Sequence, residues 1–163
     1  MTDGGTAHRL ADAMQARDFD TLGDLLADDV VLNSPITAAF QFHGRDEIVE
    51  LLKAVRDVYE TLDYTAIFGS GDTWAQVFSA TVRGQSMQGT DIMRLDEAGR
   101  VIEFTVFFRT LPGLATLTAA LGPAVAPTRP RAMALGMLSA PLAAATRLGE
   151  RLVPRIVGRS TKP

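Results

Sequence analysis

One acidic residue interrupts an otherwise apolar strand pattern and is the strongest candidate for chemistry. The pattern covers residues 86–95, where every second residue is apolar except Asp91. Alternate residues of a strand point to the same side of a sheet, so we predict that this carboxyl faces the interior. Apolar surroundings disfavour the ionised carboxylate and raise its pKa. Such a group can act as a general acid or donate a hydrogen bond to a developing oxyanion.

A structural role for Asp91 is the alternative. A buried carboxyl can orient a core by accepting hydrogen bonds, here from Trp74, Gln76 or a tyrosine. Perturbed carboxyl groups mark functional sites only statistically, because structural networks perturb them too. The sequence leaves both interpretations open.

Neighbouring strand patterns supply the rest of a candidate cavity. The predicted ligand-binding residues are Leu32, Ser34, Trp74, Gln76, Phe78, Met93, Val106 and Phe108. Aromatic residues at strand spacing are more often core residues than ligand contacts. Ser34 has no evident His or Lys to activate it as a nucleophile, so a simple hydrogen-bonding role is the favoured interpretation.

The composition excludes several classes of protein. The 163 residues include no cysteine and only two histidines, His8 and His43, so we expect neither a metal nor another cofactor. No phosphate-binding loop or dinucleotide fingerprint occurs. Residues 1–126 are strongly acidic, which argues against nucleic acid as a partner. The first ten residues lack the features of a signal peptide, and a soluble cytoplasmic protein is expected.

A change of hydrophobic period predicts the elements that position Asp91. Helical spacing dominates up to Leu62, most clearly over residues 45–62, and a period of two dominates from Asp63. A short strand precedes that long helix, and four strands joined by tight turns follow it. The predicted strands are 30–34, 64–68, 73–83, 86–95 and 101–109. This order predicts an α+β fold in which helices cover one face of a bent antiparallel sheet.

The segment after the last strand differs from the rest in its charge and in the prolines that interrupt it. We predict a domain over residues 1–122 and a helical extension over 123–163 that is broken by prolines at 123, 127 and 130. The extension carries seven basic residues and one acidic residue. We expect its helices to dock on the domain, on a partner subunit, or across the mouth of the cavity as a lid.

The end of this extension predicts a basic amphipathic helix. Arginines recur at four-residue spacing beside an apolar stripe, at Arg147, Arg151, Arg155 and Arg159. An anionic membrane surface is one possible partner. Packing on the acidic domain or on a second subunit is favoured, because opposite charges attract.

Four sequence segments resemble the nuclear-transport-factor-2-like superfamily of SnoaL-like proteins. They are Ala16-Arg-Asp-Phe-Asp20, Leu26-Ala-Asp-Asp-Val30 with Pro35 after it, Gly44-Arg-Asp-Glu-Ile48 and residues 91–102, and together they span about 7–110. The resemblance implies a cone-shaped curved sheet wrapped around a long helix. The superfamily includes steroid isomerases, epoxide hydrolases, polyketide cyclases, dehydratases and silent binding or dimerisation modules.

The resemblance carries over to few catalytic positions. Asp91 matches the oxyanion-hole aspartate of the steroid isomerases, but Ser34 stands at their general base and Leu10 at about their catalytic tyrosine. The epoxide hydrolases also place an aspartate near Asp91, but here Gly89 and Val106 stand for their Arg and second Asp. Only Asp91 is retained from either mechanism.

The resemblance therefore implies two alternatives. One is an apolar cavity for a small hydrophobic molecule, with cofactor-free isomerisation, dehydration, cyclisation or epoxide opening through Asp91. The other is a non-catalytic binding or dimerisation module that uses the outer face of the sheet. A homodimer is expected in either case.

Overall fold

Helices and strands follow one another in the predicted order in the computed structural model. It describes residues 4–36, 38–39, 41–125, 141–150 and 152–153. The elements are α1 (Gly5–Ala16), α2 (Phe19–Asp24), β1 (Leu26–Asn33), β2 (Phe42–His43), α3 (Arg45–Val58), β3 (Thr61–Ser70), β4 (Thr73–Val82), β5 (Gln85–Leu95), β6 (Val101–Arg109) and α4 (Leu111–Val125). Residues 141–150 and 152–153 are also helical and are called the tail helix below.

The strands form one curved sheet in the order β2-β1-β6-β5-β4-β3. Strands β3 to β6 pair antiparallel with their sequence neighbours, as the tight turns predict. Strand β1 pairs parallel with β6, whereas we expected antiparallel pairing throughout. A tight turn forces two consecutive strands to run antiparallel. Strands β1 and β6 are far apart in the chain, so no turn fixes their relative direction. The α+β class and the curved sheet are confirmed.

Polar and charged side chains stabilise the ends of two helices. The Asp18 side chain accepts a hydrogen bond from the Thr21 N–H at 3.1 Å, and thereby caps α2 as predicted. Asp46 and Glu47 lie in the first turn of α3 and Arg56 in its last, each at the end where its charge complements the helix dipole.

Several elements differ from the prediction. Strand β1 covers Leu26–Asn33, where 30–34 was predicted, and β3 covers Thr61–Ser70, where 64–68 was predicted. Helix α3 ends at Val58, whereas the prediction extended it to Leu62. Leu62 is buried in β3, and the prediction placed it in the helix because an apolar residue at that position fits both periods. Strand β2 was predicted as loop, since two residues are too few to show a period. Helix α4 continues past Pro123, where a break was predicted. A proline in the last turn removes one hydrogen bond without ending the helix.

The predicted inner face of the sheet is confirmed. Along β5 every residue of the apolar series is buried, and the alternate residues such as Gln88 and Arg94 are exposed. Helices α1, α3 and α4 contact the sheet, and α4 also contacts α3. The expectations for residues 126–140 and 154–163 lie outside the described residues. In the described part, no helix is long and apolar enough to cross a membrane.

Candidate functional site

A cavity of about 390 Å³ lies between the sheet and its helices. Helices α1, α3 and α4, several strands and the segment after β1 contribute to its wall. The lining residues are Met14, Leu32, Ser34, Pro35, Ile36, Phe42, Leu51, Leu52, Val55, Tyr59, Leu62, Tyr64, Phe78, Asp91, Phe104, Val106, Phe108, Leu117, Thr118 and Leu121. Asp91 is the one carboxylic acid among these described lining residues.

The middle of β5 holds Asp91 at the centre of the inner face. Its neighbours across the sheet are Gln76 on β4 and Val106 on β6. The side chain is 6% exposed, and within the described part of the chain it makes no hydrogen bond or ion pair. Burial raises the pKa of Asp91 to about 8. The carboxyl is therefore mostly neutral at pH 7 and carries a proton that it can donate.

Two of the three donors that the structural alternative named for Asp91, Trp74 and Gln76, bond elsewhere. The indole N–H of Trp74 donates to the carbonyl of Gly71 at 3.2 Å. The Gln76 amide Nε2 donates to the carbonyl of Ala7 on α1. Neither side chain forms a hydrogen bond to Asp91 in the described part of the chain.

Both tyrosines of the chain line the cavity near Asp91. Tyr59 lies directly after α3, and Tyr64 lies on β3. Burial raises the pKa of each phenol, and the Asp91 charge raises it further. The hydroxyls of Tyr59 and Tyr64 consequently stay protonated at neutral pH and are available as hydrogen-bond donors.

Aromatic rings form the wall beside this polar group. The Phe78 ring lies 5.8 Å from Tyr64 and 6.4 Å from Tyr59 between centroids, and it meets Phe108 edge-on at 5.9 Å. Gly89 makes room for Phe78 because a Cβ built there would lie 2.1 Å from the ring. These rings line the cavity together with Asp91, whose pKa is raised by burial.

The structure separates the predicted ligand-binding residues into two groups. Leu32, Ser34, Phe78, Val106 and Phe108 line the cavity together with Asp91. Ser34 lies just beyond the end of β1, and its hydroxyl accepts the Ile36 N–H at 3.2 Å. This places five of the eight predicted residues at the cavity.

The other three predicted residues, Trp74, Gln76 and Met93, do not line this cavity. They share the inner face, but α1 covers that end of the sheet. Trp74 packs against Gly4, at the start of α1, and Gln76 bonds to Ala7 in its first turns. Met93 is fully buried in the core.

Several lining residues were not predicted to belong to a site. Tyr59 lies at the end of the apolar stripe of α3 and was interpreted as a core residue. Tyr64 lies two residues after the buried Leu62 in β3, so strand alternation would have placed it on the inner face. The cavity-lining residues of α4 are Leu117, Thr118 and Leu121. No sequence signal places α4 over the cavity, because its docking depends on tertiary packing. No group of acidic or histidine side chains in the described residues is arranged to hold a metal ion.

Comparison with known proteins places this geometry in a family. The SnoaL-like domain matches residues 7–104, which is more than half of the chain. The chain belongs to the SnoaL-like family. No curated protein matches this SnoaL-like protein.

Solved structures with a similar fold include the following three. A steroid delta-isomerase from Pseudomonas aeruginosa is 30% identical, with a TM-score of 0.66 over 74% of this chain and 90% of that one. An uncharacterised bacterial protein with a cystatin-like fold from Silicibacter pomeroyi is 28% identical, with a TM-score of 0.69 over 74% and 85%. An NTF2-like protein of unknown function from Mesorhizobium loti, 24% identical with a TM-score of 0.58 over 64% and 88%, shares the fold.

Proposed function

We propose that this SnoaL-like protein binds a small hydrophobic molecule that carries one polar oxygen. A neutral, unpartnered carboxyl in an apolar cavity is the observation on which this proposal rests. A buried polar group without a partner is costly, and a ligand oxygen would provide the missing acceptor. Asp91 is the principal donor, and Tyr59 and Tyr64, which line the same cavity, offer further hydroxyl donors.

The size and lining of the cavity support a compact, largely apolar ligand. A volume of about 390 Å³ is in the usual range for small-molecule sites, roughly 300–1,000 Å³. Leucine, valine and phenylalanine side chains form most of the wall. A terpenoid, polyketide or steroid-like ring system has the matching chemistry.

Cofactor-free acid–base chemistry is the catalytic form of the proposal. Neutral Asp91 would donate its proton, or a strong hydrogen bond, to a carbonyl, hydroxyl or epoxide oxygen of the ligand. A pKa near neutrality lets the same group give up a proton and take it back. Isomerisation, dehydration, cyclisation and epoxide opening all use such a step. The resemblance to a steroid delta-isomerase supports this class of reaction.

Binding without turnover is the second candidate. Among the cavity-lining residues that the structure describes, no second carboxyl or histidine accompanies Asp91 to act as a separate base. Ser34 accepts a backbone hydrogen bond and has no activating neighbour in the cavity. A module that captures a ligand needs only the donor groups and the apolar wall.

A matched pair of probes tests the proposal. 1-Tetralone and its hydrocarbon counterpart tetralin have the same ring system and differ in one carbonyl oxygen. We expect both to shift NMR resonances of cavity residues at pH 6. The ketone should bind about tenfold more tightly, as expected for one well-made hydrogen bond.

The variant Asp91→Leu should abolish the preference for the ketone and retain tetralin binding. Absence of binding by both probes, or shifts confined to residues outside the cavity, would contradict the proposal. If a substrate is found, Asp91→Asn should lower turnover by about 10²–10⁴-fold. Unchanged turnover would show that Asp91 is not the catalytic acid.

A further inference from the structure

The tail helix exposes an apolar face. Leu142, Leu148, Leu152 and Val153 are 53%, 58%, 39% and 55% exposed. At 3.6 residues per turn these positions fall within about 140° of the helix circumference. Ala143 lies on the other side and is only 2% exposed. The covered side of the helix is thus opposite the apolar side, which we call the tail face (Leu142, Leu148, Leu152 and Val153).

The charge of this segment opposes that of the rest of the chain. Residues 127–163 contain seven basic residues and Glu150 as the single acid, whereas residues 1–126 contain nine basic and 18 acidic residues. Arg147 donates to the Ala143 carbonyl of its own helix at 2.9 Å. In the described part of the chain Arg147 pairs with no carboxylate. The attraction between domain and extension therefore does not engage Arg147.

We infer that the tail face docks on the surface of an anionic lipid bilayer. An exposed apolar arc in a segment rich in arginine is the pattern of helices that lie in a membrane interface. Basic residues supply attraction to acidic headgroups, and the leucines supply apolar burial. The acidic domain is repelled by the same surface, which leaves the tail helix as the point of contact.

A second copy of the chain is the alternative occupant of the tail face. The outer face of the sheet exposes Phe68, Ile92 and Phe107, and Ala75 lies between Phe68 and Ile92 in the register of β3, β4 and β5. The bilayer is preferred because it offers acidic headgroups and an apolar layer at the same surface. The solved relatives described above align with at most 74% of this chain.

Co-sedimentation with vesicles tests the inference in the full-length protein. The vesicles contain either phosphatidylcholine alone or an equal mixture of phosphatidylcholine and phosphatidylglycerol. We expect binding to the anionic vesicles, weaker binding at higher salt, and little binding to the neutral ones. Equal binding to both kinds, or binding to neither, would overturn the inference.

Two variants and a control assign the binding to the tail helix. Leu148→Glu should weaken anionic vesicle binding more than tenfold. Leu148 is exposed in the free protein and would be buried in the bilayer, and the variant loses that apolar burial. Replacing Arg151, Arg155 and Arg159 by glutamine should weaken it about fivefold for each charge removed. Phe107→Glu on the sheet is the control and should leave binding unchanged.

Light scattering of the same variants measures their oligomeric state and shows whether a second copy, and not a bilayer, occupies the tail face. If Leu148→Glu converts a dimer to a monomer and does not affect vesicle binding, the tail face is an interface between copies and the inference is wrong. An unchanged oligomeric state with lost vesicle binding supports it. Neither result depends on whether the cavity binds a ligand.

Discussion

Gln76 and Asp91 are direct partners across strands β4 and β5, yet their side chains serve different parts of the interior. The Gln76 amide turns to α1 and donates to the Ala7 carbonyl. The Asp91 carboxyl faces the cavity. This pair marks the boundary between the half of the inner face that α1 seals and the half that stays open. The Gln76 Oε1 atom has no partner in the described residues and lies on the sealed side.

Gln76→Glu should be strongly destabilising at neutral pH. It replaces the amide that bonds to Ala7 by a second carboxyl beside Asp91, in a site without a cation. An uncompensated buried charge costs about 3 kcal/mol or more. The cost should shrink at pH 4.5, where the new acid is protonated. Urea unfolding at both pH values measures it.

Gln88→Glu makes the same chemical change on the exposed face of β5 and should be nearly neutral. Equal losses for the two variants would show that Gln76 is not in a special environment.

Gly89→Ala should close part of the cavity. The new methyl would lie 2.1 Å from the Phe78 ring, which is buried and must shift. We expect a loss of about 1–3 kcal/mol in the free energy of unfolding, as is typical of overpacking, together with weaker binding of 1-tetralone. Gly149→Ala has open space around the Cβ and should preserve both properties. Normal stability and binding in Gly89→Ala would argue against this packing.

Leu117→Ala tests whether α4 is an integral wall of the cavity. Leu117 is 2% exposed and lines the cavity, so truncation should cost about 2–5 kcal/mol in the free energy of unfolding. Leu148→Ala, at an exposed position, should cost less than about 0.5 kcal/mol. Chemical denaturation compares them. A negligible effect of Leu117→Ala would mean that α4 is only loosely attached.

The raised pKa of Asp91 predicts how stability depends on pH. Between about 3.9 and 8 the folded protein keeps a proton that the unfolded chain releases, so this group lowers stability as pH rises. The slope should approach about 1.4 kcal/mol per pH unit within that window. Asp91→Asn should remove this contribution and be more stable than the wild type at pH 8. Parallel pH profiles for the two proteins would contradict the prediction.

Strand alternation predicts the residues of the sheet better than it predicts the cavity. Asp91, Phe78 and Phe108 follow from phase alone, because a strand has only two faces. The difference between Phe78 and Gln76 does not follow from phase, since it depends on where α1 covers the sheet. Parallel pairing of β1 with β6 and the position of α4 likewise depend on contacts between distant segments, which periodicity does not encode.

Tyr59 also shows that sequence periodicity does not predict contacts between distant segments. Tyr59 fits the apolar stripe of α3 as a core residue, and only the turn between Val58 and Thr61 brings it beside Asp91. Ser34 lines the cavity although it follows the end of β1. Its hydroxyl is held by the local backbone, which sequence alone does not specify.

We propose that Asp91 is a neutral acid in the free protein and donates a hydrogen bond to an oxygen of the ligand. Carbon-13 NMR of the Asp91 side-chain carboxyl, assigned with the Asp91→Asn variant, measures its pKa directly. We expect a value near 8 in the free protein and a higher one with 1-tetralone bound, because the carbonyl stabilises the protonated form. A pKa at or below that of a free aspartate, about 3.9, would contradict the account.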